Sequence, residues 1–414
     1  MKIWMINHYA APRDNAISGT RHYDLGMQLA KDNEVYVFSA NNNQALNKPV
    51  DLNGKLCTEL SYGNLHFIYV KTTGYESNNI KRVISMFSFK RNVMKVALSM
   101  PEESYPDYVI ASSVHPLAWE AGYSIAEHLN SRFIAEVRDI WPMTLVDTGK
   151  IRKVNPLVVY FSLLEKRALT RAEAVITLLP NSEHYLLSRG AKKVFYVPNG
   201  IDLEMFDSDV RDCNTSISEV IRKLRENFDL IIGNAGGHYL TDNMRSLVEA
   251  ARICKMQNLR VAFVSIGKGT ELENLKNLSN IYELDNIMFL GAYPKSAVPG
   301  FLKAVDALIV NAMDLSVQRF GTSYNRIFEY LAAEKPIIYS APWGEGMKNL
   351  VESEAFILAK PSDPVSIVEA IVSLMKNRDH LDNSAKAHRL FVERNHTFSV
   401  LSEKLLSNLK ELAD

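Results

Sequence analysis

Short runs of β-branched and aromatic residues alternate with helical segments along this chain, and halfway through the alternation starts afresh. The first series of strands is expected at 2–7, 34–40, 65–70, 107–112, 133–138, 174–178 and 194–197. The second is expected at 229–234, 261–266, 286–290, 307–311, 336–340 and 355–359. Alternation of this kind builds a doubly wound parallel sheet, with helices on both faces. Two series in 414 residues imply two α/β domains rather than one oversized core. The predicted boundaries are 1–205 and 206–395, joined by the polar stretch that starts at VPNGID (197–202), where Asn199-Gly200 is a turn dipeptide able to act as a hinge. A last helix, about 396–414, is expected to cross back onto the first domain.

In open sheets of this type ligands sit beyond the carboxyl ends of the strands, and the chemistry-bearing residues of this chain fall there. After the first strand, Gly19-Thr20 opens a helix and can offer backbone N–H groups to an anion. After the fourth comes SSVHPL, in which Pro116 keeps His115 extended. EVRDIWP (136–142) places Arg138 and Asp139 at the end of an apolar strand, a costly position unless the charges meet water, a ligand or each other. In the second series, Gly236-Gly237 within GNAGGHYLTDN can form an anion-binding nest, and Gly267 lies in the turn of SIGKGTE. That turn lacks the spacing of a P-loop.

The densest signal is FGTSYNRIFEYLAAEKPIIYS (320–340), a loop, a helix and a strand in succession. Ser323 or Asn325 can cap the helix, and Lys335-Pro336 ends it. Arg326 and the first-turn amides suit a diphosphate, and Glu329 can accept both hydroxyls of a ribose. The same residues also describe a capped surface helix with an i,i+3 ion pair.

Taken with EVRDIWP and VPNGID in the same order, this stretch resembles the donor-binding segment of retaining family-4 glycosyltransferases. The resemblance is strongest to the branch that builds bacterial surface polysaccharides such as O-antigen and capsule, and it spans nearly the whole chain. It implies a GT-B fold, two Rossmann-like domains facing across a cleft, with the acceptor on the first and a nucleotide sugar on the second. It also implies a donor site of Gly19, Gly236, Gly237, Gly267, Asn325, Arg326 and Glu329, with the basic residue at the diphosphate and the glutamate at the ribose. His115, Arg138 and Asp139 would then serve catalysis. A UDP-sugar is expected as substrate, with no further cofactor and no metal. Asp207-Ser208-Asp209 is the single DxD-like string and falls in the polar linker. The chain departs from the family where many members carry an earlier glutamate, here Gly321, and an Arg and Lys, here Gly237 and Asp242. An epimerase acting on sugar nucleotides and a catalytically silent sugar-nucleotide-binding subunit remain alternatives.

Composition sets the surroundings. Lys and Arg outnumber Asp and Glu by 23 to 18 over residues 1–200, and the acids lead 29 to 24 over the rest. That balance gives no general affinity for nucleic acid. The stretch 78–98 has five basic residues and no acid, with Ile80, Ile84, Phe87, Met94 and Leu98 on one helical stripe and Met86 and Phe89 off it. It is read either as a helix covering the sheet or as a peripheral contact with an anionic membrane. No apolar run is long enough to span a bilayer, and the three cysteines lack metal-ligand spacing. Both point to a cytoplasmic protein with reduced thiols.

Overall fold

The computed structural model describes residues 1–74, 80–113, 115–147, 149, 151–211, 215–321, 325–343 and 355–413. The chain divides into two compact units, Met1–Asn199 with Phe398–Asp414, and Gly200–Thr397.

The strands of the first unit are β1 (Lys2–Ile6), β2 (Glu34–Ala40), β3 (Cys57–Tyr62), β4 (Leu65–Val70), β5 (Tyr108–Ser112), β6 (Arg132–Val137), β7 (Ala174–Thr177) and β8 (Val194–Tyr196). They form one sheet in the order β3-β4-β2-β1-β5-β6-β7-β8. All pairings are parallel except β3 with β4. The central strands are apolar throughout because helices cover both faces, so β1 and β5 are buried almost end to end. The sequence did not predict β3. It is a half-exposed antiparallel edge joined to β4 through a tight turn at Gly63, whose φ of 64° suits glycine.

Sequence order reverses between β1 and β5, so connections leave in opposite directions there and open a crevice at the strand ends. The helix Pro156–Arg171 starts where expected: the Asn155 side chain accepts the Leu157 N–H at 2.9 Å and Pro156 takes the first turn. The last helix, Phe398–Glu411, belongs to this unit. Its Phe398, Leu401, Leu405 and Leu409 share a cluster with Ile3, Met5, Leu25 and Leu29, and Tyr108 Oη donates to the Leu409 carbonyl at 2.6 Å.

The helix Ile80–Ala97 corrects the expected stripe. Met86, Phe89, Val93 and Val96 form its buried face, whereas Ile84, Phe87 and Leu98 are 49%, 46% and 37% exposed. The off-stripe Met86 and Phe89, expected to meet a membrane surface, are instead the residues that cover the sheet, because only that face packs against it.

The second unit contains β9 (Leu230–Ala235), β10 (Val261–Ile266), β11 (Ile287–Gly291), β12 (Ala307–Asn311), β13 (Ile337–Ser340) and β14 (Phe356–Leu358). They pair in parallel in the order β11-β10-β9-β12-β13-β14. Here the order reverses between β9 and β12. Asp207-Ser208-Asp209, expected in the polar linker, lies on the helix Leu203–Arg211, and Asp207 is held by Arg389 through contacts of 2.6 and 2.8 Å. Cys57 and Cys254 are free thiols, and Cys213 lies outside the described residues. Among the described residues no helix is long and apolar enough to cross a membrane.

Candidate functional site

The crevice of the first sheet is bridged by two histidines. His8 follows β1, His115 follows β5, and His8 Nδ1 lies 3.0 Å from His115 Nε2. Both rings are buried. Tyr9 stacks on His8 with centroids 4.5 Å apart, and Phe89 of the helix Ile80–Ala97 approaches it at 4.7 Å. Burial depresses both imidazoles, His115 to about 3, with Arg82 nearby adding to the effect. Neutral rings sharing one hydrogen bond are the result. His115 keeps the extended backbone that Pro116 dictates, yet its ring is enclosed rather than open to solvent.

Beside the pair lies a buried ionic network that the sequence did not single out. Glu136 of β6 receives Arg21 Nε at 3.0 Å and Ser112 Oγ at 2.6 Å, and His22 Nε2 stands 3.0 Å away. Burial alone would raise the Glu136 carboxyl, but Arg21 and His22 outweigh it and hold the group well below the ordinary range. The rest of the Arg21 fork donates to the carbonyls of Pro198 and, at 2.8 Å, Val197. Arg21 thereby ties the first helix of the unit to the VPNG segment at its edge. Glu136 sits inside the EVRDIWP stretch, so a charge in mid-strand was the available signal.

Arg138 and Asp139 follow on the same strand end. The Arg138 N–H donates to Ser113 Oγ at 2.9 Å. Asp139 is exposed, yet desolvation raises its carboxyl, with Arg138 opposing the shift. The structure thus brings His115, Arg138 and Asp139 to neighbouring strand ends of one sheet, one enclosed and one accessible. Gly19 lies at the mouth of the same unit with φ 75°, and a Cβ there would meet the Tyr9 carbonyl at 2.3 Å.

In the second unit the loops after β9, β10 and β12 converge. The Gly236 N–H donates to the Ile266 carbonyl at 3.0 Å, and a Cβ at Gly267 would overlap the Gly236 carbonyl at 1.7 Å. Glycine is therefore required at Gly267, whose φ is 145°. His238 fastens the two loops: its N–H donates to the Lys268 carbonyl at 3.0 Å, and its Nε2 meets Ser265 Oγ at 2.8 Å. The helix Asn325–Ala332 follows the loop after β12 and carries Arg326 and Glu329 in its opening turns. Tyr330 on the same helix accepts the Ala235 N–H at 2.8 Å, which holds it against the end of β9.

Arg326 is buried and donates through Nη2 to Asp242 Oδ1 at 3.1 Å. A Cβ at Gly236 would lie 2.3 Å from Arg326 Nη1, and one at Gly237 would lie 2.6 Å from Asp242 Oδ2. The glycine pair read as an anion nest thus makes room for an ion pair. Glu329 is half-buried, and burial raises its carboxyl, with Lys295 pulling it down and Asp209 pushing it further up. Asn325 opens the helix, but its side chain, like Ser323, lies outside the described residues. Gly321 has φ 91°, a conformation that a glutamate there would adopt only under strain. Among the described residues no group of three or more His, Cys, Asp or Glu side chains is arranged to hold a metal ion.

Residues 221–391, most of the second unit, match the family model described as Glycosyl transferases group 1. That stretch is thus similar to the group 1 glycosyltransferase domain. Solved structures with the same fold include sucrose-phosphate synthase from Thermosynechococcus elongatus, 17% identical, covering 99% of this chain and 98% of that one with a TM-score of 0.73. Alr3699/HepE from Anabaena in complex with UDP and glucose is 15% identical, with 99% of each chain covered and a TM-score of 0.66. A UDP-forming α,α-trehalose-phosphate synthase from Burkholderia xenovorans is 11% identical, covering 100% and 99% with a TM-score of 0.70. At these identities the likeness establishes the fold, two parallel-sheet α/β domains of the GT-B class. No curated protein matches the sequence significantly.

Proposed function

We propose that the protein is a retaining family-4 glycosyltransferase that moves a hexosyl or N-acetylhexosaminyl group from a UDP-sugar to a hydroxyl of a lipid-linked or growing surface polysaccharide, of the O-antigen or capsule kind. The observation that carries this reading is the convergence of Gly236, Gly267 and Arg326 at the strand ends of the second sheet, with Glu329 one helical turn beyond Arg326. Phosphate oxygens match the forked guanidinium and the space that the glycines leave beside it, and a carboxylate matches two vicinal hydroxyls. UDP in the complexed Anabaena structure, which has the same fold, is in keeping with this assignment.

In the transfer, the bond from the anomeric carbon to the phosphate oxygen breaks and a bond to the acceptor oxygen forms on the same face. The acceptor proton passes to the departing phosphate. Charge developing on that phosphate is stabilised by Arg326 and the loop amides, which need no metal. Asp139, accessible and flanked by Arg138, is suited to orienting the acceptor hydroxyl. His115 is enclosed, so its contribution is to hold the strand ends in position through His8. A catalytically silent binding subunit is the second reading, favoured by Asp242 at the arginine and Gly321 in place of a carboxylate.

Peripheral contact with an anionic membrane from the cytoplasmic side belongs to the same proposal. The exposed face of the helix Ile80–Ala97 sets Ile84 and Phe87 among the exposed Lys81, Arg91 and Lys95, with Leu98 just beyond its end.

Calorimetric titration with UDP tests the donor site. Glu329→Ala is expected to weaken binding by about 1–3 kcal/mol, as for a lost buried hydrogen bond to a charged group. An unchanged affinity in a folded variant would remove Glu329 from the site. Transfer should also survive excess EDTA.

A further inference from the structure

We propose that Asp242 is the resident counter-ion of Arg326 and opposes the incoming phosphate, so that this one carboxylate sets how tightly the site takes a nucleoside diphosphate. The inference rests on the reading of this loop as the donor-phosphate site, and it adds a residue that works against binding there.

Three features place the carboxylate. It accepts Arg326 Nη2 at 3.1 Å, and both residues are only 8% exposed. Its other oxygen accepts the Tyr239 N–H at 3.2 Å. The backbone of Asp242 is pinned as well, because its carbonyl accepts Asn311 Nδ2 at 3.1 Å from the end of β12. The glycines fit the same arrangement: Gly236 clears space for the guanidinium and Gly237 for the carboxylate.

A guanidinium binds one carboxylate or one phosphate well through a given edge of its fork. A phosphate that binds Arg326 through that edge takes the place of Asp242 on Nη2. The pinned backbone keeps the displaced carboxylate close by, where two like charges within a few ångströms disfavour each other. Before a donor binds, Asp242 sets a negative charge against the buried guanidinium. The arrangement thus holds the arginine in place before the donor arrives and weakens the donor's hold afterwards.

The test is a calorimetric titration of UDP into the wild type, Asp242→Asn, Asp242→Ser and Arg326→Ala, with uridine read as a competitor of UDP. The serine variant guards against an effect peculiar to the asparagine, and thermal melts report the fold of each protein. Removing the carboxylate is expected to tighten UDP about tenfold while uridine is unmoved, because only the phosphates meet the lost charge. The rise in Tm caused by UDP should be larger in both Asp242 variants than in the wild type. UDP affinity that stays the same or falls in both variants, while Arg326→Ala still weakens UDP, would overturn the proposal and leave the donor site standing. UDP affinity indifferent to Arg326→Ala would overturn the donor-site reading and this inference with it.

Discussion

The parallel strands of each sheet reverse their order once, between β1 and β5 in the first unit and between β9 and β12 in the second, and the two crevices are furnished differently. The first is closed by side chains, with His8 and His115 in contact under Tyr9 and Phe89, and Arg21 saturated by Glu136 and two carbonyls. The second is lined by glycines, and there Arg326 donates to the Asp242 carboxylate. An arginine whose whole fork is satisfied inside the protein is a structural member. One whose fork is met by a pinned carboxylate at a glycine loop can exchange that partner for a ligand. The difference teaches which crevice is filled by its own side chains, the first, and which is shaped by glycines around an arginine, the second.

Breaking the structural pair should have the larger effect on stability. Glu136→Gln leaves the buried Arg21 without its countercharge and is expected to lower unfolding free energy by about 3–5 kcal/mol, while UDP affinity is unchanged. Chemical denaturation alongside calorimetry reads both. A loss confined to UDP binding would mean that the two arginines have been assigned the wrong way round.

Acid sharpens the comparison next. His8 and His115 are neutral in the folded state because burial depresses them, whereas an unfolded histidine titrates near 6.5. The unfolded chain therefore binds more protons below that value, so stability is full above about pH 6.5 and is lost as pH falls. For His115, depressed to about 3, the loss is about 2 kcal/mol between pH 6.5 and 5. His115→Gln should flatten the pH dependence of Tm by that amount in this window. Glu136 acts in a lower range: its pKa is held below the unfolded value, so its contribution is lost only below about pH 4.5.

The effect expected to be smallest on stability concerns the surface. Each Lys or Arg near an anionic membrane contributes about 1 kcal/mol. Neutralising Lys81, Lys90, Arg91 and Lys95 should release the protein from anionic vesicles at low salt, with Tm unmoved. Wild-type protein that fails to sediment with such vesicles would make the helix Ile80–Ala97 a sheet cover alone.

The parallel strands were legible because each is a buried apolar run between turn signals, and burial on both faces leaves little else that such runs can do. β3 was not, since CTELSY alternates weakly and earns its place only by pairing with β4. The face of the helix Ile80–Ala97 was misread because two apolar stripes were available, and only packing against the sheet decides which turns inward. At the site, Arg326 and Glu329 were visible as charges in a helix-opening turn. The roles of Glu136, Arg21 and Asp242 were not, because each depends on a partner 84 to 177 positions away. Asp242 appeared in the sequence only as a departure from an expected lysine.

The central claim, that the second unit holds the donor while the first serves the transfer, is tested most directly by measuring turnover and UDP affinity together in two variants. With a UDP-sugar and acceptor that the wild type uses, Asp139→Asn should lower turnover by about 10²–10⁴-fold and leave UDP affinity unchanged. Glu329→Ala should weaken UDP, with its effect on rate following donor occupancy. Full turnover by Asp139→Asn, or an equal loss of UDP affinity in both variants, would contradict the account.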